Sequence, residues 1–217
     1  MSDYLKFTDY QIEQHASMFR VNTDTVVLGM SFDQLKGKTV LDIGTNNGAL
    51  LLYAARQGAY ELLGCDLFAE ALALADKNLK RYDLNYKLYH CPVQQLEIDP
   101  VDVIVCNPPF FEMNNATKDE YFCKAMFDES LKMDELFQAF RRLLKDNGEI
   151  YLIYAADRFN ELYNCCLKYK LKIMKMRFLH DANAEFALRV VLKLKIGPMT
   201  KLRVLSPVIV RHGDFVL

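Results

Sequence analysis

The chain has 217 residues, 52% apolar, 12% aromatic and 25% charged, and its 27 basic and 28 acidic residues leave a net charge of −1. That profile fits a folded globular protein and excludes a disordered one. No apolar run reaches the roughly 20 residues of a membrane span, and the opening MSDYLKFTDYQ lacks the apolar stretch of a signal peptide, so a cytoplasmic protein is expected.

In chain order, Asn22-Thr23-Asp24 offers an N-cap before the apolar run Val26-Val27-Leu28. Residues 38–43 (KTVLDI), bounded by glycines, predict a buried parallel strand, and 49–57 a helix ending at Gly58. The alternation continues with a strand over 61–65, a helix over 68–82, and strands over 87–91 and 101–106. A strongly amphipathic helix is predicted over 133–145, stopped by Asn147-Gly148, then a strand over 149–155 and a helix over 158–169. Two β-rich segments, 171–179 and 186–196, close the pattern as a hairpin with no helix between them. The expected fold is α/β: an open, doubly wound, mostly parallel seven-stranded sheet with an antiparallel edge hairpin. The whole chain is expected to form one domain, with a cap segment over 1–35, a core over 36–155 and a basic sheet segment over 156–217. Six cysteines without C-x-x-C spacing predict buried, reduced thiols and no zinc site.

The near-zero net charge hides an asymmetry. Residues 1–160 hold 16 basic against 24 acidic residues, a net of −8, and 161–217 hold 11 against 4, a net of +7. One surface built for an anion is the expectation.

In such a sheet ligands bind at the carboxyl ends of the strands, and three features fall there. The first is the turn Asp42-Ile43-Gly44-Thr45-Asn46-Asn47-Gly48. The dinucleotide pattern G-x-G-x-x-G would need glycine where Asn46 and Ala49 stand, so pyrophosphate binding is disfavoured. A carboxylate at Asp42, inside an apolar strand, makes sense against a cation such as an amino acid's ammonium. The second is Asp66 at the end of the next strand, placed to accept both hydroxyls of a ribose. Together they fit a nucleoside carrying an amino-acid tail, as in S-adenosylmethionine. The third is Asn107-Pro108-Pro109-Phe110, followed by Phe111. Two prolines stiffen the segment and remove two donors. The Asn107 side-chain oxygen and the Pro108 carbonyl can then accept the two N–H groups of an exocyclic amine, and Phe110 can support a flipped base.

VLDIGTNNG, LLGCDL and NPPF resemble the motifs of class I S-adenosylmethionine-dependent methyltransferases of the N6-adenine type. From about residue 15 onward the chain is similar to the bacterial tRNA adenine-N6 methyltransferases acting beside the anticodon, at position 37 of valine tRNA. FRVNTDTVVLG, LLKDNGEIYLI, KMRFLH and LRVLSPVIV carry that narrower likeness. The resemblance implies a cofactor pocket lined by Asp42, Gly44, Thr45, Asn46, Gly48, Asp66, Leu67 and Asn107, with Val93 near the cofactor adenine and Phe19, Thr23 and Asp24 closing it. It implies a target adenine held by Asn107, Pro108 and Phe110, and a tRNA partner; the contacts expected with that RNA are Phe111 and, on the basic tail, Lys193, Lys195, Lys201 and Arg203. No metal and no membrane are expected, and the chain is expected to act as a monomer.

Two departures stand out. The family usually has Ala-Arg-His-Glu where this chain has Ala125-Met126-Phe127-Asp128, and no acid follows the third strand at His90-Cys91-Pro92-Val93, leaving the cofactor adenine to Val93's backbone. Alternative readings are a ribosomal-RNA adenine-N6 enzyme, a glutamine-N5 protein methyltransferase, or a catalytically silent RNA-binding protein.

Overall fold

The computed structural model describes residues 2–7, 10–15, 20–108, 131–198, 201–211 and 214–216. It begins with an antiparallel hairpin, β1 (Ser2–Phe7) and β2 (Tyr10–His15), followed by α1 (Thr23–Met30). No strand was expected within the cap segment, and the hairpin supplies two. Asn22 caps α1 as expected: its side-chain oxygen accepts from the Thr25 amide at 3.0 Å.

β3 (Thr39–Ile43), α2 (Ala49–Arg56), β4 (Glu61–Asp66), α3 (Ala69–Leu79), β5 (Tyr86–His90) and β6 (Val101–Cys106) fall within three residues of their expected bounds. After them come α4 (Met133–Leu143), β7 (Leu144–Ala155), α5 (Phe159–Lys168), β8 (Leu171–Asp181) and β9 (Arg189–Ile196). Three short strands close the chain: β10 (Arg203–Val204), β11 (Val208–Arg211) and β12 (Asp214–Val216).

The main sheet has the order β12-β11-β8-β9-β7-β6-β3-β4-β5, with β10 paired beside β8. β5, β4, β3, β6 and β7 are parallel, and β9 is antiparallel to both β7 and β8. Among the described residues this sheet has ten strands, where seven were expected. The additions are β10, β11 and β12, two to four residues long and too short to show a periodic pattern. The terminal hairpin does not simply extend the edge: β9 crosses back to lie between β7 and β8.

α4 ends at Leu143, and Leu144 turns directly into extended backbone paired with Val101. Residues 144–148, read from the sequence as helix end and turn, thus enter β7, with Asn147 at φ +63° and Gly148 inside the strand.

Each central strand is apolar on both faces. Leu41, Ile104, Ile150 and Leu152 pack under Leu136, Phe137 and Phe140 of α4, and Val40, Val103, Val105 and Ile153 under Leu51 and Leu52 of α2 and Leu28 of α1. Successive residues pointing to opposite sides give a three-layer α/β/α arrangement. From β3 the chain runs one way to β4 and β5 and the other way to β6 and β7, so strand order reverses between β3 and β6. The crevice outside their carboxyl ends is where such sheets take ligands.

Candidate active site

A cleft of about 250 Å³ opens over the carboxyl ends of β3, β4 and β6. Its floor is the turn after β3. Gly44 at φ +72° and Gly48 at φ +81° occupy the left-handed region that side chains disfavour, and Asn46 tolerates it at φ +48°. The turn is bolted to β4, because the amides of Gly44 and Thr45 both donate to the Cys65 carbonyl, at 2.9 and 3.1 Å.

Asp42 is only 1% exposed, and its Oδ2 accepts from the Thr45 hydroxyl at 2.9 Å. Its Oδ1 is buried without a hydrogen-bond partner among the described residues. Burial lifts the carboxyl from its ordinary 3.8 to about 7, against the Thr45 hydrogen bond and with a contribution from nearby Asp66. A buried acid oxygen without a donor, on a residue that lines the cleft, suits a cationic or hydrogen-bonding ligand.

Asp66 closes the next strand. Its Oδ2 accepts from the Asn46 amide at 2.9 Å and its Oδ1 from the Phe68 amide at 3.1 Å. Burial raises its pKa, opposed by the amides of Asn46, Phe68 and Leu67. One acid thus ties the turn to the strand end and retains lone pairs for a ligand.

Asn107 and Pro108, after β6, line the same cleft as Asp42, Asp66 and Leu67. Pro92, Val93 and Gln94 line it beyond β5. The Val93 carbonyl, however, is taken by the Arg142 guanidinium at 2.8 Å, so this part of the backbone is already engaged. Thr45, Asn46, Gly44 and Asp24 also line the cleft, whereas Thr23 and Gly48 do not. Gly48 instead shapes the turn and packs beside Ala75. Phe19, Phe110, Phe111 and the stretch 125–128 lie outside the described residues.

The methyltransferase small domain model matches residues 9–171. The chain belongs to that family. Among curated relatives, the tRNA1(Val) (adenine(37)-N6)-methyltransferase of Cytophaga hutchinsonii is 26% identical, covering 89% of this chain and 84% of the relative. The enzyme of the same name from Christiangramia forsetii is 31% identical over 68% of this chain and 65% of its own length. Among solved structures, the Thermus thermophilus 16S rRNA N2 G1207 methyltransferase, bound to AdoMet and guanosine, superposes with a TM-score of 0.65 at 20% identity, covering 91% of this chain and 50% of that one. That likeness shows the fold.

This methyltransferase uses S-adenosylmethionine, and the orphaned Asp42 Oδ1 fits its ammonium. Several cleft residues escaped the sequence reading. Arg189, from the start of β9, lines the wall, and its Nε donates to Asp24 Oδ2 at 3.0 Å. The pair is separated by 165 positions, so no local signal announces it. Asn47, 3% exposed, was passed over although it stands in the same turn.

Two of the expected RNA contacts of the basic tail, Lys193 and Lys195, lie along β9. β9 runs down from the cleft rim at Arg189, paired with Ala155, to Lys195, paired with Glu149 at the opposite end of β7. At roughly 3.4 Å per residue, Lys193 and Lys195 lie about 14 and 20 Å from Arg189. Lys193 is also consumed internally: its Nζ is 2.7 Å from Asp33 and 2.8 Å from Glu149, with the side chain 11% exposed. Burial opposes its charge, but hydrogen bonds to the two acids outweigh it and hold the ammonium protonated. Lys193 therefore links the segment after α1 to the sheet, so its expected contact with RNA would fall to a side chain already paired with two acids. Lys195 is half-buried; Lys201 and Arg203 are exposed, and Arg203 pairs with Lys175 of β8, well below the rim.

Lys193→Ala is accordingly expected to lower stability by about 1–3 kcal/mol, less than a fully buried pair because Lys175 and Lys38 remain beside the two acids. Chemical denaturation checks this, with binding of S-adenosylhomocysteine expected to stay unchanged. Burial raises the pKa of Asp33, but hydrogen bonds from Lys175 and Lys193 bring it down to about 2. Its stabilising contribution is thus present above about pH 4 and lost as the pH falls toward 2.

Among the described residues no group of His, Cys, Asp and Glu is clustered to hold a metal ion, and no helix is long and apolar enough to cross a membrane. The described cysteines are free thiols, with Cys65, Cys106 and Cys166 buried.

Proposed function

We propose that the protein transfers a methyl group from S-adenosylmethionine to N6 of an adenosine in the anticodon loop of a tRNA, position 37 of valine tRNA being the expected target, and that it acts in the cytoplasm. The observation that carries this reading is the shared cleft: Asn107 and Pro108 open onto the space lined by Asp42 and Asp66. The curated relatives named for this reaction, matched over most of the chain, support the choice of substrate.

Bound in the cleft, the cofactor supplies an electrophilic methyl group on a sulfonium. Asp42 Oδ1 takes the ammonium of its amino-acid tail. Asp66 accepts the ribose hydroxyls with the lone pairs that the Asn46 and Phe68 amides leave open. The Asn107 side-chain oxygen and the Pro108 carbonyl accept the two N–H groups of the target amine. Held so, the amine nitrogen keeps its lone pair out of the ring and directed at the methyl carbon. Transfer of the methyl group to that nitrogen would leave the cofactor a neutral thioether, and the surplus proton would pass from the nitrogen to water. Positioning carries most of the rate, and no side chain need act as a base before transfer.

The test is nucleoside mass spectrometry of cellular tRNA with and without the gene, followed by mapping of the missing mark. Loss of N6-methyladenosine from one tRNA is the expected result. An unchanged tRNA profile, with the loss in ribosomal RNA, would replace the substrate and keep the chemistry.

A further inference from the structure

If the target adenosine is swung into the cleft, its two neighbours in the anticodon loop each lose a stacking partner. An enzyme that offers a replacement surface at the rim recovers part of that loss. The basic lysines do not offer one, because Lys193 and Lys195 lie down β9, away from the cleft.

The connection between β8 and β9, residues 182–188, does reach the rim. β8 runs parallel to the strands that end at the cleft, and β9 starts there at Arg189, which lines the wall. The connection carries two exposed apolar side chains, Phe186 at 73% and Leu188 at 47%. It is also braced. The Leu188 amide donates to the Leu179 carbonyl at 2.8 Å and its carbonyl accepts from the Ala156 amide at 3.2 Å. The Arg189 guanidinium donates to the same Leu188 carbonyl at 3.0 Å. At the other end, the Ala182 amide donates to the Val210 carbonyl and the Asn183 amide to Asp181 Oδ1. Three positions before a cleft-wall arginine, an aromatic ring is thus presented to solvent by a tied loop. A single exposed apolar side chain is ordinary; two of them on one braced loop, at the cleft end of the sheet and just before an arginine of the cleft wall, are not explained by folding.

We infer that Phe186, with Leu188 beside it, is the surface on which a base flanking the target adenosine stacks. This rests on the tRNA reading above. A ring of this kind suits a single-stranded loop, whose unpaired bases expose their faces, and is indifferent to base identity.

The experiment is steady-state methylation of a valine tRNA transcript by Phe186→Ala and Phe186→Trp, alongside calorimetry with S-adenosylhomocysteine. Phe186→Ala is expected to raise KM for tRNA by roughly 5- to 150-fold, the range for loss of one aromatic–base stack. Cofactor affinity should be unchanged, as should the slope of log affinity against log salt, since no phosphate contact is removed. Phe186→Trp should restore the KM. A transcript with an abasic site next to the target should erase the difference between Phe186→Ala and the unaltered chain. Full activity of Phe186→Ala on a tRNA that the unaltered chain methylates overturns the stacking role alone. A loss that tryptophan does not rescue, or that persists on the abasic transcript, also overturns it. Failure of the unaltered chain on every tRNA overturns the functional reading on which the inference stands.

Discussion

Asn107→Ala should reduce kcat by about 10²- to 10³-fold while S-adenosylhomocysteine binds nearly as before. The chain leaves β6 at Cys106, so Asn107 is the first residue past a buried strand, and Pro108 behind it is buried and locks the direction of the segment. Truncation to alanine removes the side-chain acceptor but leaves this backbone in place. The amine would then be held by one carbonyl and would be free to keep its lone pair in the ring. Single-turnover methylation, read against cofactor affinity, separates the two effects. Full turnover by the variant would remove Asn107 from the chemistry, and a parallel collapse of cofactor affinity would make it a wall of the cofactor pocket alone.

The second large effect concerns Asp42. With the carboxyl raised to about 7 in the free protein, a cationic ligand can claim it only in its ionised form. Affinity for S-adenosylhomocysteine, which keeps the ammonium, should therefore climb roughly 30-fold between pH 5.5 and 8 and level off above 7. Asp42→Asn should flatten that profile and weaken binding at pH 8 by about 10- to 100-fold. Stability should respond in the opposite sense. A carboxyl whose pKa is raised in the folded state binds its proton more tightly there than in the unfolded chain. Its stabilising contribution is full below about pH 4 and is lost as the pH rises to about 7. Unliganded Asp42→Asn should thus be more stable than the unaltered chain at pH 8, seen as a higher melting temperature. A pH-independent affinity in the unaltered chain would show that Asp42 does not meet the ammonium.

The centre of the fold was readable because its physics is local. β3, β4 and β6 are buried on both faces and so appear as mainly apolar runs, broken inside only by Asp42 in β3 and Asp102 in β6. The turn after β3 was readable for the same reason: Asp42, Gly44, Asn46 and Asp66, which line one cleft, are defined by strand ends and backbone geometry. The failures are non-local. β2 hides its strand character because Glu13 and Gln14 are polar yet buried, satisfied by groups from other parts of the chain. Arg189 joins the cleft through an ion pair with Asp24 that only the folded sheet creates. The internal pairing of Lys193 was hidden for a related reason. Net charge counts a lysine without knowing that Asp33, 160 positions earlier, and Glu149 neutralise it.

Asn78 of α3 is fully buried, and its side chain is shared three ways. Its oxygen accepts from the Glu13 amide at 2.8 Å, and its nitrogen donates to the carbonyls of Glu13 and Asn47, each at 3.0 Å. One carboxamide thereby stitches the N-terminal hairpin to the turn that floors the cleft. The two regions share one opening event: pulling β2 away strands the oxygen and one proton of the carboxamide that holds the turn, and loosening the turn strands the other proton of the hairpin's anchor. Protection of the β2 amides from hydrogen exchange would rise when the cleft is filled, although no ligand touches them, and an aspartate in place of Asn78 would uncouple the two by setting acceptor against acceptor.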